Sequence, residues 1–185
     1  MPKVSEQHRE RRRDQIVDAA LRCFSVKGFQ RTSMADIIAE SGLSAGAIYG
    51  HFAGKQEIAI AVAQRILGNR MLEFGDRLHA DGELPPPSAM LRLMMSGLTG
   101  EIRDIGVLVQ LWGEGVTDLD MSRMIGPIFG EVSAVMGPYL QRWASERRGL
   151  APDAAAAWAH DVIPVLLGLG QGYIIQSALL DAVPA

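Results

Sequence analysis

The sequence has one cysteine, Cys23, in 185 residues. A disulfide framework within the chain is therefore excluded, and a reducing compartment is the natural setting. Strand-like alternation, internal repeats and low-complexity tracts are also missing. There is no glycine-rich phosphate loop and no nucleophile set beside a base. The four histidines, His8, His51, His79 and His160, are scattered, and no group has metal-ligand spacing. Asp118-Leu119-Asp120 could mimic a paired-carboxylate site, but it falls where a helix boundary is expected and reads as a cap. These absences argue against an enzyme and imply no cofactor or metal. The amino-terminal MPKVSEQHRERRRDQ is charged, with no apolar run of signal-peptide length behind it, so a cytoplasmic location is expected.

Hydrophobic residues make up 48% of the chain, enough for a packed core. Between Asp161 and Asp181 there is no formal charge: VIPVLLGLGQGYIIQSALL. That length approaches a membrane span of about 20 residues. Pro164, Gln171, Gln176 and three glycines interrupt it, and the preceding AHD is not a basic flank. The segment is expected to be a buried helix of a soluble protein, with no membrane partner.

The net charge of −3 conceals an asymmetry. Residues 1–55 hold nine basic and six acidic side chains, and the remainder nine basic and fifteen acidic. A basic head on an acidic body suggests that the head meets a polyanion. Arg9, Arg11, Arg12 and Arg13 concentrate that charge. They form either a solvated face interleaved with Glu10 and Asp14 or an arm that reaches the minor groove or backbone of that polyanion.

Nearly everything else reads as helix. From Glu10 to Val26, the residues Ile16, Ala19, Ala20, Cys23 and Phe24 fall on one face. Gly28 should stop this helix in a left-handed conformation, with Phe29 packing back. Thr32 or Ser33 caps a second short helix, and Ser33 with Asp36 has capping-box spacing. Gly42 supplies a turn, and Ser44 opens a third helix reaching about Phe52. A fourth starts near Lys55. The run Leu84-Pro85-Pro86-Pro87 breaks the chain. Further helices are expected over Ser88 to Glu101, Ile102 to Thr117, Pro127 to Arg148 and Pro152 to Leu180. Pro127 and Pro152 would lie in first turns, while Pro138 and Pro164 are interior.

Two short helices joined by a Gly-containing turn describe a helix-turn-helix, whose second helix enters the DNA major groove. This explains the bareness of LSAGAIYGHFAGK, Leu43 to Lys55. Ala45, Gly46 and Ala47 are small because bulk there would hold the helix away from DNA. Ser44 and the amides behind it can meet a phosphate or a base edge. Tyr49, His51 and Lys55 supply donors for flanking phosphates.

Residues 12–66 resemble the amino-terminal domain of the TetR family of bacterial transcription regulators. The resemblance rests on Ile16, Ala20, Phe24, Gly28, Phe29, Thr32, Ser33, Ile37, Ile38 and Gly42, followed by LSAGAIYGHFAGKQEI. That last segment fits the pattern G-x-[IL]-Y-x-H-F-x-x-K-x-x-[IL]. The resemblance implies DNA contacts at Thr32, Ser33, Ser44, Gly46, Ala47, Tyr49, His51 and Lys55, with Ala45 on the same short helix. Ala45 stands where many members have Lys, and Gly50 where many have a bulky residue. The implied fold is all-α: a three-helix DNA-binding domain over residues 1–55, then a helical ligand-binding and dimerisation domain over 56–185, joined by the helix that starts near residue 55.

The body is rich in methionine, which adapts to irregular shapes. An apolar or amphipathic effector lined by Met94, Met95, Gln110 and Trp112 is the expectation, although such residues at helical spacing also make plain core. The last helix carries apolar residues on more than one face, so something beyond its own chain should cover it. Val165, Leu169, Gly172 and Tyr173 are the expected homodimer contacts. The function that follows is a repressor released from a palindromic double-stranded operator by a small molecule. The alternative is a small-molecule carrier or interaction module with a vestigial head.

Overall fold

The computed structural model describes residues 3–78, 84–98 and 102–180. Eight α-helices follow one another: α1 (Lys3–Lys27), α2 (Met34–Ser41), α3 (Ala45–Tyr49), α4 (Lys55–Leu78), α5 (Pro87–Leu98), α6 (Ile102–Thr117), α7 (Leu119–Arg148) and α8 (Pro152–Leu180). No strand occurs among the described residues. Helix α1 begins well before Glu10 because nothing in SEQHRE breaks it. The expected end of the fifth helix near Glu101 lies outside the described residues.

Two compact units form. One comprises Met1–Ile66 with Gly106–Ile125, the other Leu67–Ile105 with Gly126–Ala185. The division therefore does not fall at residue 55. The first part of α4 and most of α6 fold with the head.

In the first unit, Ile16, Ala19, Ala20, Phe24, Ile37, Ile48, Phe52, Ile58 and Val62 are buried. Phe24 and Phe29 meet edge to face, with ring centroids 5.5 Å apart. Gly28 ends α1 at φ 80° and Gly42 ends α2 at φ 67°. Both are left-handed positions that a Cβ would strain, as the spacing requires. Ser33 and Asp36 form the expected capping box: the Ser33 Oγ accepts the Asp36 N–H at 3.2 Å, and the Asp36 Oδ2 accepts the Ser33 N–H at 2.8 Å. Replacing Ser33 with Ala should cost about 1 kcal/mol of stability. Equilibrium urea unfolding would test this, and an unchanged midpoint would show that the cap is dispensable.

Two expectations change in α7. The helix starts at Leu119 rather than Pro127, because the Asp118 carboxylate accepts the N–H groups of Asp120 (2.9 Å) and Met121 (3.0 Å) and so caps the helix eight residues earlier. Pro127 is consequently interior, like Pro138. Each proline deprives the carbonyl four residues before it of a partner. These prolines and those carbonyl residues, Arg123 and Ala134, all lie on exposed faces, so the loss is tolerable.

In the second unit, Leu84, Met90, Val132, Met136, Tyr139, Leu140, Ala159 and Leu166 form the buried core. The Tyr139 hydroxyl donates to the Pro85 carbonyl at 2.6 Å and fastens the proline segment. Burial pushes that phenol up to about 12. Trp143 of α7 and Trp158 of α8 stack at 5.6 Å, with the Arg148 guanidinium 5.3 Å from the Trp158 ring.

Helix α8 departs from the expected burial. By length and composition it could cross a membrane, and only 17% of its most apolar window is buried within the chain. Its buried residues are Ala155, Ala159, Leu166, Gly170 and Ile174. Val165 (60% exposed), Leu169 (57%) and Tyr173 (40%) face outward at four-residue intervals. Leu166 is Val165's neighbour in sequence but is only 8% exposed. The structure divides them, because adjacent residues on a helix lie about 100° apart.

Candidate nucleic-acid interface

Helix α3 is five residues long, too short to persist alone. It is held by its neighbours. Ile48 is fully buried, Phe52 packs just beyond it, and the Phe52 and His51 N–H groups both bond the Ile48 carbonyl. The Ser44 Oγ caps the helix by accepting the Ala47 N–H at 3.2 Å. The remaining side chains are outward: Ser44, Ala45, Gly46, Ala47 and Tyr49 are all exposed, Tyr49 by 53%. Apart from its chain neighbours and its own helix backbone, no atom lies within 4 Å of a Cβ built on Gly46. The structure thus presents a bare, open helix start with one aromatic hydroxyl beside it. Gly50 takes an ordinary helical φ of −72° and closes the helix by donating to the Gly46 carbonyl.

Helices α1 and α2, which precede this element, are tied to each other by polar contacts. The Gln15 amide donates to the Ser41 carbonyl at 2.8 Å, Arg22 pairs with Glu40 at 2.6 Å, and Lys27 pairs with Asp36 at 2.6 Å. The Lys27 ammonium and the two Ser33 hydrogen bonds hold the Asp36 carboxyl far below the usual carboxylate range. Asp14 and Asp18 both pair with Arg65 of α4.

The other candidate contacts are placed less simply. Thr32 is 2% exposed, and its hydroxyl donates inward to the Gly28 carbonyl at 2.8 Å. The implied DNA contact through its side chain is therefore corrected: Thr32 fastens the turn after α1. Ser33 is exposed, but its hydroxyl and N–H both bond Asp36. The Lys55 ammonium donates to the Phe29 carbonyl (2.9 Å) and the Gln30 carbonyl (3.3 Å), and lies 4.4 Å from the Phe29 ring centroid. An ammonium has three N–H groups, so one remains for a phosphate. His51 is half-buried. Burial first, then the positive charges of Arg9 and Arg13, push its imidazole below the usual histidine range. The shift favours the neutral imidazole, which offers a single N–H donor.

Gln110 changes role. The sequence expectation places it in the lining of an effector site. Its Oε1 instead accepts the Phe29 N–H at 2.6 Å, within the first unit. The turn after α1 is thus gripped on both edges, by Gln110 at the N–H and by Lys55 at the carbonyl. Trp112 belongs to the same unit, whereas Met94 and Met95 belong to the second. Met94 packs on the second unit's core, and the Met95 Cε lies 3.6 Å from the Cβ position of Gly170. The four expected lining residues are thus divided between the two units. Among the described residues, no group of three His, Cys, Asp or Glu side chains could hold a metal ion.

Comparisons with known proteins agree with this geometry. Residues 16–62 match the family described as bacterial regulatory proteins, tetR family. The uncharacterized HTH-type transcriptional regulator YfiR of Bacillus subtilis is 32% identical over 104 residues, covering 56% of this chain and 49% of that protein. An HTH-type transcriptional repressor of Mycobacterium tuberculosis is 42% identical over 64 residues, covering 35% of this chain and 34% of that one. The chain therefore spans about half the length, or less, of these curated relatives. Among solved structures, the transcriptional regulator FadR of Bacillus subtilis in complex with stearoyl-CoA superposes with a TM-score of 0.73 at 17% identity, covering 92% of this chain and 89% of that one. That likeness extends the shared fold beyond the head.

Proposed function

We propose that this chain, whose residues 16–62 match the family described as bacterial regulatory proteins, tetR family, is a transcriptional repressor released from a palindromic operator by a small molecule. The open start of α3 carries this reading. A helix packed for stability alone would not leave Ala45, Gly46 and Ala47 bare, whereas one that approaches base edges must. The basic balance of residues 1–55 adds attraction for phosphates, and an operator places the protein's work in the cytoplasm. Selection from randomised duplexes at stated salt would test the reading. Enrichment of a two-fold symmetric site supports it. Binding with no sequence enrichment would favour a carrier with a vestigial head.

Tyr49 should matter for affinity and little for folding, since its side chain is half exposed. Tyr49→Ala is expected to weaken binding to the selected duplex by about 1–3 kcal/mol, the range of a single DNA contact, with an unchanged melting temperature. Wild-type affinity in that variant would show that α3 docks by another face.

The effector we propose is apolar or amphipathic and binds in the second unit near Met94 and Met95, where flexible thioethers can adapt to it. FadR, which shares the fold, was solved with stearoyl-CoA. Titrating stearoyl-CoA and shorter acyl-CoAs against the protein–operator complex tests the class. Unchanged operator affinity across the whole series would remove it. Ligand action requires unequal affinity for the DNA-competent and incompetent conformations.

We further propose a homodimer. The outward stripe Val165, Leu169 and Tyr173 of α8, with Gly172 beside it, would meet its two-fold copy. The exposed small residues Gly126, Gly130 and Ala134 of α7 would let partner helices approach closely. Helices α7 and α8 of each chain would then form a four-helix bundle.

A further inference from the structure

Arg9 and Arg13 lie four residues apart on α1, so they share one face, and both are exposed. The Arg13 guanidinium sits 5.2 Å from the centre of the Phe52 ring, immediately after His51. Positive charge from both arginines reaches His51. This face of α1 therefore borders the end of α3. Of the nearby acids, Asp14 and Asp18 are engaged on Arg65, Glu40 on Arg22 and Asp36 on Lys27, while Glu6 and Glu10 are exposed on α1 itself. The Glu57 carboxylate accepts the Ala53 N–H at 2.7 Å. Arg12 is turned to Gln15 at 2.9 Å.

We propose that Arg9 and Arg13, with His51 beside them, form a second phosphate-gripping edge of the DNA interface, carried on helix α1. This rests on the DNA-binding reading above. The occupant is the sugar-phosphate backbone rather than the minor groove. The backbone is helical from Lys3, and a helix about 10–12 Å across does not enter a groove about 6 Å wide. Guanidinium groups match phosphate oxygens in two-pronged hydrogen bonds. Such contacts fix the register of α3 on the duplex and carry no base information.

The test measures dissociation constants against salt concentration for the full chain, on a duplex from the selection and on a random duplex. Arg9→Gln should lower the slope of log affinity against log salt by about one per chain and weaken both duplexes by the same factor. Arg9→Lys, which keeps the charge, should hold the wild-type slope. Arg13→Gln should act alike but also lower the melting temperature, because it loses the Phe52 ring; Arg9→Gln should not. Phosphate ethylation interference should show a phosphate whose modification harms the wild type and not Arg9→Gln. An unchanged slope and affinity in Arg9→Gln, while Tyr49→Ala is impaired, would overturn this inference alone. A loss confined to the selected duplex would overturn the phosphate assignment by making Arg9 a base reader. Absence of salt-dependent DNA binding by the wild type would sink the DNA-binding reading itself, and this edge with it.

Discussion

Leu169→Glu should convert the protein to a monomer that holds its operator at least about 100-fold more weakly than the wild type. Specific dimeric binding exceeds non-specific binding by about 10³–10⁷, and most of that margin needs both half-sites. The two heads must present their α3 helices about 34 Å apart, or a multiple of that, which a lone chain cannot do. Leu169 is 57% exposed within one chain, so the substitution opens no cavity in its own core. A carboxylate placed at the centre of a two-fold apolar contact would meet its own copy and be stripped of water. Sedimentation velocity at micromolar concentration checks the assembly, and the salt titration checks the affinity. If the wild type itself sediments as a monomer, the proposed interface is wrong. If it partitions onto phospholipid vesicles instead, the exposed stripe of α8 faces lipid rather than a second copy.

The second large effect is expected where the turn after α1 is gripped. Gln110→Leu keeps the side chain's bulk but leaves the Phe29 N–H without its acceptor, which costs about 1–3 kcal/mol where water cannot take over. Gly28→Ala imposes a left-handed φ on a residue with a Cβ, costing about 1–2 kcal/mol. It also sets that Cβ 3.1 Å from the Gln110 Oε1, tighter than a comfortable contact. Both substitutions should lower the urea midpoint, and Gln110→Leu should speed exchange of the Phe29 amide. Because the two residues touch, their effects should not add in a double-mutant cycle. Stability and Phe29 exchange unchanged in Gln110→Leu would show that the hydrogen bond contributes nothing. Lys55 is tied to the same turn through two carbonyls. Its replacement should therefore disturb folding as well as any phosphate contact, unlike Tyr49→Ala.

Local signals carried much of this molecule. Gly28 and Gly42 were legible as helix stops because left-handed backbone is a local demand that glycine meets. The Ser33–Asp36 box and the Ser44 cap were legible because capping depends on residues three apart in sequence. The head's apolar face, from Ile16 to Phe24, followed from helical period alone. The bareness of α3 was visible as composition, and its family resemblance as a run of matching residues.

Partnerships across long stretches of sequence were not legible. Thr32 matched a family pattern, yet its hydroxyl turns inward to Gly28 because the turn brings that carbonyl within reach. Gln110 was conspicuous as a polar residue among apolar ones, but its partner is 81 residues earlier, and no periodicity points there. Arg9 and Arg13 could be read only as charge, until the continuous α1 helix set them beside the end of α3. The early start of α7 turned on one Asp118 side chain choosing the helix end over solvent. By itself the sequence determined the all-helical class, the glycine stops of α1 and α2 and the small side chains that open α3, since each depends on neighbours within a turn or two. Tertiary structure alone decided which face of α8 is left open and which polar groups clamp the turn after α1, because both depend on what the rest of the chain brings alongside.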